Sequence, residues 1–289
     1  MIFDTAPSAF QHSVVQELAW VIASPPLISG EYDGVVWWTP EQCADEYAAC
    51  WPALYELDRD PEPLLACLQQ PGIYRLGRRF EVLVAYWLAI SPNFQCLYSH
   101  VPIRQAKQTL GELDFIVQRC ADDAVIHLEV AVKFYLGYGD WQALYNWHGP
   151  SLKDRLDLKV THLQQHQTQL SEHYPELLPC AVDQRACLLK GRLFYPEAAT
   201  QRASFANVGH ERGVWYILSD IPPVMSDAIR PLRRSQWLWP QQQVVSADLP
   251  ALATLPTALI EPECFLYAPA GQEKQRFFLL PAGFWDTIT

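Results

Sequence analysis

Basic residues are scarce in this chain of 289: 21 Lys and Arg stand against 32 Asp and Glu, a formal net charge of −11. Taken over the whole chain, that balance argues against nucleic-acid binding, because phosphate contacts draw on Lys and Arg. Long hydrophobic runs are absent. None approaches the roughly 18–20 residues of a membrane span, so no membrane partner is expected. The first residues, MIFDTAPSAF, lack both a basic region and an apolar stretch, so no secretory signal is expected. The eight cysteines include no C-x2-C pair, and the gaps between Cys43 and Cys50 and between Cys180 and Cys187 are poor zinc spacings. Reduced thiols in a cytoplasmic protein are the simplest reading. There is neither an internal repeat nor a low-complexity tract.

The positive charge is missing from one place. Residues 1–70 hold eleven acidic residues and one basic residue, Arg59, whereas the other 219 hold 21 acidic and 20 basic. The acidity therefore belongs to an N-terminal region. It reads as solvated helix faces, as a cover over a cationic site, or as a docking surface for a basic protein partner. Core material is abundant: half of the residues are hydrophobic and 12% are aromatic. That suffices for one large domain or two ordinary ones.

Apolar residues Val14, Val15, Leu18, Ala19 and Ile22 recur at helical spacing over 10–22, and Ser24-Pro25-Pro26 ends the run. Thr39-Pro40-Glu41-Gln42 is a capping box with proline at the first helical position, and it predicts a helix to about Leu57. A short helix follows Asp60-Pro61 through Leu68, and Pro71-Gly72 stops it. Residues 76–89 gather Phe80, Leu83, Val84, Trp87 and Leu88 on one helical face. Strands are predicted at about 94–104, 111–118 and 124–135. The aromatic connector 134–147 that comes next serves either a core or the stacking of unpaired bases. Ser151-x-x-Asp154 predicts a second capping box opening a helix to about His173, with Arg155, Lys159 and His162 on its polar side. Residues 185–195 read as a strand, with more strands at 213–219 and 275–281.

The most informative stretch is 111–133: GELDFIV, the polar interval QRCADDA, then HLEVAVK. Period-two alternation puts Glu112, Asp114 and Ile116 on one face and Leu113, Phe115 and Val117 on the other. It also puts His127, Glu129, Ala131 and Lys133 on one face and Leu128, Val130 and Val132 on the other. The two halves read as a β-hairpin that presents Asp114, Glu129 and Lys133 side by side. Carboxylate oxygens are hard ligands suited to Mg2+ or Mn2+. A lysine beside them can orient a reacting water and offset phosphate charge. Residues 71–133 carry seven basic and six acidic residues, so the acidity of the chain does not weigh on this region.

A Gly-Glu-Leu-Asp strand followed by a Glu…Lys strand resembles the core of the PD-(D/E)XK nuclease superfamily, closest in style to its Holliday-junction-resolvase-like members. The order helix, three strands, helix, strand over 76–195 fits the αβββαβ core of that group. The chain as a whole also resembles a bacterial family known as a domain of unknown function, which supplies no activity. The nuclease resemblance implies an α/β fold with a mixed sheet and a restriction-endonuclease-like core over 72–196. An acidic helical region over 1–71 precedes that core, and a β-rich extension over 197–289 follows it. It implies Mg2+ or Mn2+ held by Asp114, Glu129, the helical Glu81 and the Val130 carbonyl. Lys133 would orient the nucleophile, and Arg155 and Lys159 would hold the substrate backbone. The usual spacing in that group is Glu-x-Lys. Here Lys133 stands four residues after Glu129, about 7 Å further along the strand than that spacing would put it. Glu112 either assists or points outward, and His127 and His162 read as structural histidines. The function so implied is metal-dependent hydrolysis of nucleic acid, DNA before RNA. A non-catalytic nucleic-acid- or protein-binding module on the same fold is the alternative.

Overall fold

The computed structural model describes residues 9–106, 108–222, 228–238, 255–269 and 273–288. Thr39 opens a helix as its sequence requires. Its Oγ1 accepts from the Gln42 N–H at 3.2 Å, and Gln42 Oε1 accepts from the Thr39 N–H at 2.9 Å. The helix so capped, α2 (Pro40–Arg59), packs with α1 (Ser13–Ala23), α3 (Glu62–Leu68) and α4 (Leu76–Ile90) into one helical layer. Two of the N-terminal acids are structural. Glu17 on α1 is buried and takes a forked pair of hydrogen bonds from Arg79 on α4, at 2.7 and 2.5 Å. Glu46 on α2 accepts from Trp87, Ser91 and Asn93, fixing the turn that leads into the sheet.

The sheet is mixed. Its strands are β1 (Gly30–Tyr32), β2 (Val35–Trp37), β3 (Phe94–Gln105), β4 (Gln108–Arg119), β5 (Val125–Gly137), β6 (Trp147–His148), β7 (Gln184–Pro196), β8 (Arg212–Ile217), β9 (Ile229–Pro231), β10 (Glu263–Tyr267) and β11 (Gln275–Leu280). Their order is β3-β4-β5-β7-β8-β11-β10-β9. The first three run antiparallel, β5, β7, β8 and β11 run parallel to their neighbours in that order, and the last three are antiparallel again. The protein is thus α/β. The C-terminal strands continue the main sheet through β7–β8, and the N-terminal region adds β2, paired in parallel with the start of β7.

β5 and β7 are buried along nearly their whole length, as parallel strands covered on both faces must be. Leu128, Val130, Val132 and Phe134 pack toward the helical layer with Phe115, Trp87 and Leu54. Ala131 and Tyr135 pack on the opposite face with Leu156, Leu163 and Leu189. Each such burial contributes about 1.5–3 kcal/mol for a large aliphatic or aromatic side chain.

The helix expected from Ser151 to His173 is not one helix. Ser151 and Asp154 form no capping box: Leu152 sits at a positive φ of 58°, and α5 (Leu156–His162) begins two residues later with Arg155 as an uncapped N-cap. The Asp154 carboxylate is taken instead by Lys133 and Tyr135. After α5 the chain widens into a π turn, Leu163–Gln167, before α6 (Leu170–His173). The buried Thr168 hydroxyl donates to the carbonyls of Leu163 and Gln164, competing with the regular helical bonds in the way that shifts a helix register.

Two neighbours on β7 hold the layers. Lys190 is fully buried, and its Nζ donates to the carbonyls of Ile22 and Ser24 at the C-terminus of α1. Gly191 pairs with Lys133 of β5 at a φ of 136°. A Cβ there would fall inside the Lys133 carbonyl. Gly191→Ala should therefore destabilise the fold by more than about 3 kcal/mol, since strained φ and a backbone clash act together. Thermal or urea denaturation against the wild type measures it; an unchanged midpoint would refute the close approach.

Candidate functional site

β4 and β5 part company inside the sheet. They pair from Gln118–Val125 to Phe115–Leu128 and no further. Past that point the two strands no longer pair with each other, and N–H groups on the facing edges must find another acceptor. Side chains supply it. The Asp114 N–H donates to Glu129 Oε1 at 3.2 Å, and the Val130 N–H donates to Asp114 Oδ2 at 3.0 Å. Two carboxylates, one from each strand, thus clasp the fork reciprocally. Asp114 and Glu129 come together as the alternation predicts, with Val130 joining through its backbone.

The clasp is supported from behind. Glu129 is only 1% exposed. Its Oε1 also meets His127 Nε2 at 2.8 Å, and Gln167 Nε2 donates to Oε2 at 3.1 Å. His127 is buried in turn, with Nδ1 2.7 Å from Ser171 Oγ. Gln167 comes from the π turn and Ser171 from α6. No periodicity or spacing singles them out, because the break in the helix is invisible in the hydrophobic pattern. Only the glutamine-rich run QQHQTQ marks the region.

The electrostatics of the two acids diverge. Burial, then the charge of Glu129 and that of Glu81, push the Asp114 carboxyl up to about 8 against the pull of the Val130 N–H and Lys159. Burial also raises Glu129, but the hydrogen bond and charge of His127, with the bonds from the Asp114 N–H and Gln167, outweigh it and hold that carboxyl below its ordinary value. The two carboxyls are thus pushed in opposite directions, Asp114 up and Glu129 down.

The expected lysine is engaged elsewhere. Lys133 Nζ lies 2.5 Å from Asp154 Oδ2, and the Tyr135 hydroxyl meets the other oxygen of that carboxylate at 3.3 Å. Lys159 on α5 is the amine whose charge reaches Asp114 and Glu129. It is partly buried and forms no ion pair or hydrogen bond of its side chain among the described residues. Burial, then the charge of Lys133, push it below its ordinary value, while Asp114, Glu129 and Asp154 pull the other way. Arg155 is taken by Asp157 in a forked pair at 2.7 and 2.9 Å. Glu81 on α4 stays with Arg78 at 3.0 Å, and Arg78 NH1 is 2.7 Å from His100 Nε2. Glu112 points outward to His100 at 3.2 Å. His162 stacks on His166, ring centroids 4.8 Å apart. Of the aromatic connector, Phe134, Tyr135 and Trp147 are buried in the core, Trp141 is half-buried, and Tyr138 and Tyr145 are exposed, with Tyr138 stacked on Trp285.

No group of three or more His, Cys, Asp or Glu side chains converges as an ion-binding set among the described residues. The two clasp carboxylates nevertheless fit a hard divalent cation. They are adjacent oxygen donors, and Asp114 Oδ1 carries no hydrogen bond among the described residues.

The chain belongs to the family described as domain of unknown function (DUF1853), which matches residues 16–261. No curated protein and no solved structure matches it.

A carboxyl raised in the folded state keeps its proton while the unfolded chain has lost it. Its contribution to stability therefore falls as pH rises from the ordinary carboxylate range, near 4, to about 8. Asp114→Asn retains an acceptor for the Val130 N–H and cannot ionise. In chelator, its melting temperature relative to wild type should climb between pH 5 and pH 8. A difference that stays flat, or falls, across that window would show that Asp114 is not raised.

Proposed function

We propose that the chain is a metal-dependent nuclease with a restriction-endonuclease-like core, hydrolysing phosphodiester bonds in DNA in preference to RNA. The observation that carries this reading is the fork, where a buried and a half-buried carboxylate clasp diverging strands beside an unpaired lysine amine. The order of elements supports it. α4, the antiparallel β3–β4–β5, the α5–α6 segment and the parallel β7 follow one another as helix, three strands, helix, strand.

The cofactor of this reading is Mg2+ or Mn2+, held by Asp114 and Glu129 with the Val130 carbonyl, and with Glu81 if it leaves Arg78. When bound, such an ion supplies Lewis-acid polarisation of a phosphoryl oxygen. Asp114 offers Oδ1 while Oδ2 stays on the Val130 N–H, so ligation need not undo the fork. His127 and Gln167 orient Glu129 from behind. Lys159, whose amine has no partner of its own among the described residues, is placed to orient the attacking water and to offset phosphate charge. Lys133, neutralised by Asp154, shapes the neighbouring wall instead.

A non-catalytic binding module is the second reading. The observation that favours it is the engagement of the acids: Glu129 already accepts from three donors, and Glu81 is paired.

Calorimetric titration with Mn2+ should show binding by the wild type and severe loss in Asp114→Ala. Equal binding by both removes the site. With labelled DNA and Mg2+ or Mn2+, Lys159→Ala should cut the cleavage rate by roughly 10²–10³, the scale of removing one electrostatic stabiliser from a catalytic site. Lys133→Ala should change it by only severalfold. Lys159→Arg should rescue incompletely, because the planar guanidinium fork has a different reach and geometry from a point-like ammonium. A wild type that binds Mn2+ but cleaves neither DNA nor RNA would leave the binding module standing.

A further inference from the structure

A cleft of ≈540 Å³ opens along the second half of β5, where Val132, Lys133 and Phe134 line it. Lys133 and Asp154 sit in its wall. Four residues of strand separate Lys133 from Glu129, about 13 Å. Val132, Phe134 and Trp237 give the cleft an apolar lining, with the rings of Phe134 and Trp237 edge to face at 5.1 Å. A second hollow of ≈440 Å³ shares Pro150, Ser151, Arg234 and Trp237 with it and prolongs it.

The charges in this cleft run against the composition of the chain. Its charged residues are Arg75, Lys133 and Arg234 against Asp154 alone, and Asp154 is taken by Lys133. Arg75 and Arg234 are exposed, and neither guanidinium forms an ion pair among the described residues. In a chain of net charge −11, with acids in excess, two unpaired guanidinium groups in one concavity stand out. Tyr74 stands beside them, 76% exposed, with the Arg75 guanidinium 5.9 Å from its ring centroid. An exposed aromatic flanked by arginines and an apolar floor offers what an unstacked base and its phosphates need. The cleft also connects to the fork along α4. Arg75 is the N-cap residue of α4, Arg78 and Glu81 pair one turn further in, and the charge of Glu81 reaches Asp114.

We propose that this cleft binds a single strand of DNA and leads it to the fork, with Arg75 and Arg234 on its phosphates and Tyr74 stacked on a base. The inference rests on reading the fork as a phosphodiester site, and it names the substrate as unpaired strand rather than duplex. Size argues the same way. A concavity on the scale of about 300–1,000 Å³ encloses a ligand of drug size, one or a few nucleotides, and not a double helix.

The test is fluorescence anisotropy on the full chain in chelator, so that binding is read without cleavage. The probes are one labelled DNA oligonucleotide, single-stranded or annealed to its complement. The wild type should hold the single strand more tightly than the duplex. Arg75→Ala with Arg234→Ala should weaken single-strand binding on the order of tenfold or more. The double variant should also flatten the slope of log affinity against log salt by about 1.4, about 0.7 for each phosphate no longer neutralised. Tyr74→Ala should weaken binding on the order of tenfold with the salt slope unchanged. All three residues are exposed, so melting temperatures should match the wild type. A double variant with wild-type affinity and slope overturns the proposal. So does a wild type that prefers duplex, or one that binds no oligonucleotide. Cleavage in Mg2+ is scored separately. A wild type that cuts duplex but fails these binding criteria sinks the cleft and spares the nuclease reading. One that meets them and cuts nothing keeps the cleft and sinks hydrolysis.

Discussion

Everything near the site depends on how two strands separate. Beyond Phe115 and Leu128 the backbones of β4 and β5 no longer pair, yet the peptide groups of Asp114 and Val130 remain in the interior. An unpaired N–H there costs about 1–3 kcal/mol. The two carboxylates accept those bonds crosswise, so the same atoms that close the fork structurally are the ones with chemical use. Placing two acids there has its own cost, visible in the raised Asp114. Burial first and the charge of Glu129 second hold that carboxyl above its ordinary range, the kind of perturbation that clusters at functional sites.

The surrounding structure serves this fork from three directions. From the α5–α6 side, the π turn brings Gln167 onto Glu129, and α6 brings Ser171 onto His127. The turn exists because Thr168 bonds back into the helix, so a local defect in one element positions a support for another. From β7, Gly191 allows the backbone to approach Lys133 closely, which draws the end of β5 tight against the sheet. From the helical layer, α4 carries Glu81 toward the fork and Arg75, its N-cap residue, toward the cleft, and Glu17 anchors α4 to α1.

The N-terminal acidity takes on a different sense once the fold is known. Glu17 and Glu46 are buried structural acceptors. Asp58 receives the N–H groups of Gln11 and His12 at 2.8 Å each, at the start of α1. Part of the charge imbalance is therefore architecture. Net charge describes solubility and long-range steering and says little about any one concavity, and the cleft by Lys133 carries an excess of positive charge in an acidic protein.

The sequence by itself determined most of the helices and long strands, and the acid pair. Local patterns carry both: the capping box at Thr39, the apolar face of α4 and the period-two alternation of GELDFIV and HLEVAVK each act over a few residues. Asp114 and Glu129 were legible because they occupy corresponding polar positions on two halves of one hairpin. What the tertiary structure decided depends on contacts distant in sequence. The Ser151–Asp154 pattern was a capping box in form, yet Lys133 and Tyr135 compete for Asp154 from 21 and 19 residues away and win it. That competition disarms the lysine that strand spacing favours and leaves Lys159, on the next helix, nearest in effect to the acids. The place of the C-terminal strands in the main sheet, and of β2 beside β7, is likewise set by pairings between distant segments. Pattern reports which face of an element is buried; only the assembled sheet reports which side chains from separate elements share that space.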